Sequence, residues 1–141
     1  MNAKSRAIYE YKKASEHDEQ VRVFNWIFDN IINYPELDLA YAVPNGAMLG
    51  GGRIGAIRAN ALKAEGLRPG VSDIVVPSPR GGYFGMYLEM KTKTGTLSEN
   101  QKEFLFQVKK YGYFGAVAYG ADEAIEILEG YLKKPYTKAA V

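Results

Sequence analysis

The run Tyr83-Phe84-Gly85-Met86-Tyr87-Leu88-Glu89-Met90-Lys91 sets the tightest limit on how this chain can fold. Strand alternation sends Phe84, Met86, Leu88 and Met90 to one face and Glu89 with Lys91 to the other, so an acid and an ammonium share one end of an apolar strand. Upstream, Gly70-Val71-Ser72-Asp73-Ile74-Val75-Val76-Pro77 is a second apolar run opened by an acid, and the turn-rich segment Ser78-Pro79-Arg80-Gly81-Gly82 joins the two as a hairpin. With the loop centred near Arg80, Asp73 pairs with Tyr87, and Glu89 is its diagonal same-face neighbour at about 7 Å. Carboxylates that close repel unless something positive lies between them. Lys91 offsets one charge, whereas a hard divalent cation held by carboxylate oxygens and water uses both. A solvated, charged strand end would need the same residue types, so the surrounding sequence has to decide.

The 141 residues, 47% hydrophobic and 13% aromatic, suit a single domain with a real core. There is no cysteine, which excludes disulfides, thiolate metal sites and a cysteine nucleophile, and the lone His17 cannot build a histidine-rich zinc site. Any metal has to be oxygen-ligated. No apolar run approaches the ~18 residues of a membrane span, and Met1 to Arg6 lack the apolar core of a secretion signal, so a cytoplasmic protein without membrane partners is expected. Net charge is only +2, yet residues 53–110 carry ten Lys or Arg against five acids, while the flanks are net acidic. Bases around an acidic pair attract phosphate while the acids hold a cation, although solvated helix faces carry the same residues.

Helix and strand alternate along the chain as α-β-(α)-β-β-α-β-α, an α/β arrangement. Residues 1–14 read as a polar arm. Ser15 reads as the N-cap of a helix with Glu16, Asp18 and Glu19 in its first turn and Val21, Phe24, Ile27, Phe28 and Ile31 at helical spacing up to Pro35. Leu37 to Val43 reads as a strand ending at Pro44-Asn45-Gly46. Gly50-Gly51-Gly52 precedes a basic helix, Arg53 to Glu65, closed by Gly66. After the hairpin, Ser98 and Gln101 have capping-box spacing ahead of Phe104, Leu105 and Val108. Tyr113 to Tyr119 reads as a buried strand, Asp122 as the cap of a last helix through Leu132, and 133–141 as a polar tail.

In this order the motifs resemble the VRR-NUC family of the PD-(D/E)xK nuclease superfamily, whose core is a restriction-endonuclease-like mixed sheet flanked by helices. Glu16-His17-Asp18-Glu19-Gln20 resembles the opening E-x-x-E-Q helix signature, and Pro44-Asn45-Gly46 the N-G turn. Lys63 to Asp73 resembles K-x-x-G-x-x-x-G-x-P-D, Glu89-Met90-Lys91 is E-x-K, and Leu97 to Gln101 resembles L-S-x-x-Q. The resemblance spans about residues 15–132. Ser72 departs from it, since the family has proline before the aspartate.

The resemblance implies a Mg²⁺- or Mn²⁺-dependent endodeoxyribonuclease with no small-molecule cofactor. Asp73, Glu89 and the Met90 carbonyl would hold the ion, and Lys91 would orient water or stabilise the phosphorane. Glu16 and Glu19 both qualify as acids facing the site, though the helix dipole alone could account for acids there. Gln101 would face the site too, although the capping box already explains it. Arg53, Arg58, Lys63 and Arg68 are candidates for backbone phosphate contacts. Stand-alone, phage-type members further imply a homodimer acting on branched DNA such as Holliday junctions, inside a bacterial cell or phage-infected host. A non-catalytic nucleic-acid-binding module and a restriction-type nuclease acting on linear duplex are the alternatives.

Overall fold

The computed structural model describes residues 2–44 and 51–138, with the backbone alone at 7–15. Asn45 and Gly46, read above as a turn, and Gly50, read as the start of the glycine run before the basic helix, fall outside the described residues. Helix α1, Ala3–Asp29, is capped by Asn2, whose side chain accepts the Ser5 N–H at 2.8 Å. Ser15 is therefore inside the helix and is not its cap. Residues 3–14 contain no glycine or proline to stop a helix, so a polar cap at Asn2, thirteen positions upstream, is enough to start one. Glu16, Asp18 and Glu19 consequently lie far from the positive end of the dipole, which removes the macrodipole as their explanation.

The strand expected over 37–43 is shorter. Pro35 has the fixed φ of a first helical position, and Pro35–Leu39 forms a 3₁₀ turn that buries Leu37, leaving only Tyr41–Ala42 as β1. Helix α2 spans Gly52–Ala64, with Gly66 in the left-handed region just beyond its C-cap, as the sequence predicts. Strands β2 (Ile74–Val76) and β3 (Met86–Lys91) form the hairpin, and α3 (Glu99–Lys110) carries the chain to β4 (Phe114–Tyr119). The sheet order is β1-β2-β3-β4, with β4 parallel to β3 and the other pairs antiparallel. Helix α4, Ala121–Leu132, closes the fold; its N-cap is Gly120, with Asp122 in the first turn in place of the cap.

Helices cover both faces of the sheet. On one, Ile74, Val76, Met86, Leu88, Met90 and Ala118 pack with Val23 and Ile27 of α1 and Ala124, Leu128, Tyr131 and Leu132 of α4. On the other, the Tyr87 ring meets those of Phe104 and Tyr113 at 5.3 Å each, beside Leu105 and Val108 of α3. The face that carries Glu89 and Lys91 is thus apolar at Tyr87, where α3 packs against it. Phe84, expected to be buried, precedes the strand and is 60% exposed. Among the described residues no helix is long and apolar enough to cross a membrane.

At the end of the sheet where β3 begins, the segment after α4 is pinned down. Gly81 N–H donates to Pro135 O (2.7 Å) and Thr137 N–H to Pro79 O (2.9 Å), so residues 134–137 are docked and do not trail as a tail. The organiser is Arg80, whose side chain is 10% exposed. It pairs with Glu36, donates to Lys134 O at 3.0 Å and stacks 3.7 Å from the Tyr136 ring centroid. Burial alone would raise the Glu36 pKa, but bonds from Arg80, the backbone, Tyr136 and Ser78 outweigh it and hold it low. Removing the guanidinium leaves that carboxylate buried without its cation. Arg80→Ala is expected to cost about 3–5 kcal/mol in denaturant unfolding, and a loss under about 1 kcal/mol would place the pair among weak surface bridges.

Candidate active site

The hairpin register is shifted from that of a loop centred on Arg80. Ile74 pairs with Leu88 and Val76 with Met86, which centres the connection on Gly81 and brings Asp73 level with Glu89, directly across from it. Two backbone bonds hold Asp73 there: Val43 N–H donates to its carbonyl and Met90 N–H to its Oδ2, both at 2.8 Å. Gly70 fixes the approach. Its φ is +84°, and a Cβ on it would lie 2.4 Å from the Asn100 carbonyl carbon, so the lead-in to Asp73 rests on the first turn of α3 only because the residue is glycine.

Glu89 points to the α3 side with its side chain 2% exposed. Gln101 Nε2 donates to Glu89 Oε1 at 2.8 Å, and Lys91 Nζ lies 3.8 Å from the same oxygen. Glu89 Oε2 is buried with no hydrogen-bond partner in the protein. Burial first, then the charge of Asp73, pushes the Glu89 carboxyl up to about 8, against the pull of Lys91. Gln101 makes two side-chain contacts. Its Oε1 accepts the Ser98 N–H at 2.9 Å in a capping box, while its Nε2 serves Glu89.

These groups lie at the bottom of a cleft of about 610 Å³ at the end of the sheet where β3 finishes. Helix α1 supplies Glu16, His17 and Gln20 to its wall, and Ala42, Val43 and Pro44 supply the rim after β1. Glu19 is not in the wall. It reaches the other way and accepts the Ala121 N–H at the start of α4, beside an Arg22 that also binds Asp122 at 2.6 Å. The two acids lie on adjacent stripes of α1, about 60° apart, so Glu16 can line the cleft while Glu19 turns aside to α4. Arg53, Arg58 and Lys63 are exposed on α2, and Arg68 lies 5.5 Å from the Phe104 ring; none of the four lines the cleft. His17 and Gln20 enter it although neither was selected as a site residue; Gln20 is the last residue of the E-x-x-E-Q signature and one turn from Glu16, whereas His17 had no such signal.

Among the described residues no three His, Cys, Asp or Glu side chains gather as a metal cluster. A cation would rest on the Asp73–Glu89 pair supplemented by backbone and water, which suits a hard, strongly hydrated ion. The unpartnered Oε2 of Glu89 is the atom such an ion would satisfy.

The VRR-NUC domain model matches residues 11–122. The chain belongs to the VRR-NUC family. A solved structure described as a VRR_NUC domain protein is similar at a TM-score of 0.72 and 25% identity, covering 88% of this chain and 93% of that one. None of the curated proteins compared matches. VRR-NUC is a nuclease-type family, and this chain carries its mixed sheet and flanking helices.

The raised pKa of Glu89 gives the VRR-NUC site a test without substrate. The ordinary value for Glu89 is 4.5 and the folded value about 8, so the folded chain holds this proton more tightly than the unfolded chain. The associated stability is fully present below the unfolded value and is lost as pH rises through the folded one. Denaturant titrations of metal-free protein at about pH 6 and about pH 9 should show a fall in stability that Glu89→Gln lacks. Equal falls in both proteins would remove Glu89 as the cause.

Proposed function

We propose that the protein is a Mg²⁺- or Mn²⁺-dependent endonuclease that hydrolyses phosphodiester bonds in DNA. The observation carrying this is the buried Glu89 carboxylate, level with Asp73, with Lys91 at 3.8 Å and one oxygen unpartnered. A folding core gains nothing from such a cluster, since a desolvated acid beside a second acid is costly.

Asp73 and Glu89 would hold the ion, with the Met90 carbonyl as a third donor. Bound there, the ion would supply Lewis acidity toward a phosphate oxygen and lower the pKa of a water. The Lys91 ammonium, steadied by Glu89, offers hydrogen bonds to the attacking water or to the phosphate oxygens as negative charge grows on them. Glu16 and Gln20, one turn apart on the α1 wall, orient the water from the opposite side. Glu19 supports the site by fastening α1 to α4. Attack forms a new P–O bond, the bridging P–O bond breaks, and the departing oxygen takes up a proton.

The exposed Arg53, Arg58, Lys63 and Arg68 contact backbone phosphates outside the cleft, which favours recognition of shape over sequence. The family resemblance supports a homodimer acting on branched DNA, because a two-fold pair matches the equivalent strands of a four-way junction. The setting would be the cytoplasm of a bacterial cell or phage-infected host.

Incubation with linear, nicked, flapped and four-way DNA, with and without Mg²⁺, tests both levels. Metal-dependent cutting with preference for the junction is expected, and equal cutting of linear and four-way DNA would reduce the claim to a general nuclease. Asp73→Asn and Glu89→Gln should each abolish cleavage while DNA binding persists, and near-normal cutting by either variant would end this mechanism. Lys91→Ala should lower kcat at least about a hundredfold with little change in affinity; a parallel loss of affinity would make Lys91 a phosphate-binding group only.

A further inference from the structure

We infer that Ser98 is a positioning residue: by capping α3 it locks the Gln101 side-chain amide in the one orientation that presents a donor to Glu89. Its effect on catalysis rests on the function proposed above, but the lock itself does not.

A capping box accepts either Glu or Gln at its fourth position, because only an oxygen is needed to receive the N-cap N–H. The helix start therefore has no preference between them. The second contact has one. Gln101 Oε1 takes the Ser98 N–H at 2.9 Å, and Nε2 donates to Glu89 Oε1 at 2.8 Å. Flipping the amide would set N–H against N–H at Ser98 and oxygen against oxygen at Glu89, so both contacts are satisfied in one orientation only. A glutamate at 101 would keep the cap and turn a carboxylate oxygen on Glu89. The Ser98 hydroxyl closes the loop by accepting the Gln101 N–H at 3.2 Å, which fixes the backbone from which the amide projects.

Ser98 itself is outside the cleft wall, so it acts only through Gln101. What it selects is which Glu89 oxygen is used up. Oε1 takes the Gln101 donor and faces Lys91, and Oε2 is left as the oxygen without a partner. The same turn supports the other acid, because the Asn100 backbone is the surface on which Gly70 and the lead-in to Asp73 rest. One helical turn thus references both carboxylates.

The experiment is NMR of the side-chain amide of Gln101 in metal-free, full-length protein, paired with steady-state kinetics. In the wild type the amide protons should exchange with solvent more slowly than those of an exposed glutamine. Ser98→Ala should speed their exchange about fivefold, the ratio given by loss of an N-cap bond of typical strength, and Ser98→Thr should restore it. Gln101→Glu should keep the helical circular dichroism yet lower kcat at least about tenfold with KM for DNA unchanged, as for loss of a hydrogen bond to a charged group. Wild-type amide protons exchanging as fast as those of a surface side chain, or exchange indifferent to Ser98→Ala, would overturn the lock. Near-wild-type kcat in Gln101→Glu would overturn the orientation requirement. A locked amide in a protein that cuts no DNA would instead overturn the proposed function and leave the lock standing.

Discussion

The burial of the Glu89 carboxylate in the middle of a four-stranded sheet is the constraint around which the remaining structure is arranged. Strand β3 is paired on both sides and covered on both faces, so an acid near its end loses water from nearly every direction. Such a group survives only if neighbours supply hydrogen bonds or charge. The Gln101 amide and the Lys91 ammonium do so on one oxygen, and Asp73 opposes them from the adjacent strand. The capping of α3, the glycine at position 70 and the register of the hairpin are the means by which these partners arrive at the same point.

The two ends of the sheet solve different problems with similar groups. Where β3 begins, Arg80 and Glu36 are paired, stacked and bonded to backbone, with each formal charge answered. Where β3 ends, the acids outnumber the ammonium and an oxygen is left over. The first arrangement lowers the pKa of its acid and the second raises it. A closed network serves stability, and an open one at the end of a cleft is suited to accepting something further.

Much of this could be read from residue order. The helix of 52–64, the hairpin, the cap at Ser98 and the strand ending at Tyr119 follow from local patterns of glycine, alternation and capping, and the structure has them. What escaped depends on distant partners. Ser15 looked like a cap because acids follow it, yet the helix runs straight through. Glu19 looked equivalent to Glu16 until α4 supplied an N–H for it. Tyr87 shares the face of Glu89 and Lys91, and only the packing of α3 shows that it is half-buried there. The hairpin register was off by one in its centre, because a glycine pair in the loop leaves the tightest turn undetermined from composition. That small shift turned two diagonal carboxylates into facing ones.

Strand β1 has only two residues, Tyr41 and Ala42, both exposed, and the next N–H, from Val43, is already spent on the Asp73 carbonyl. An edge this short offers almost no free ladder on which another extended chain could continue the sheet. The rim of the cleft next to it, which Pro44 continues, is therefore poorly suited to strand-to-strand association. Its backbone can border an open groove while this margin of the sheet, unlike the six-residue β4 at the opposite edge, presents little ladder to a passing strand.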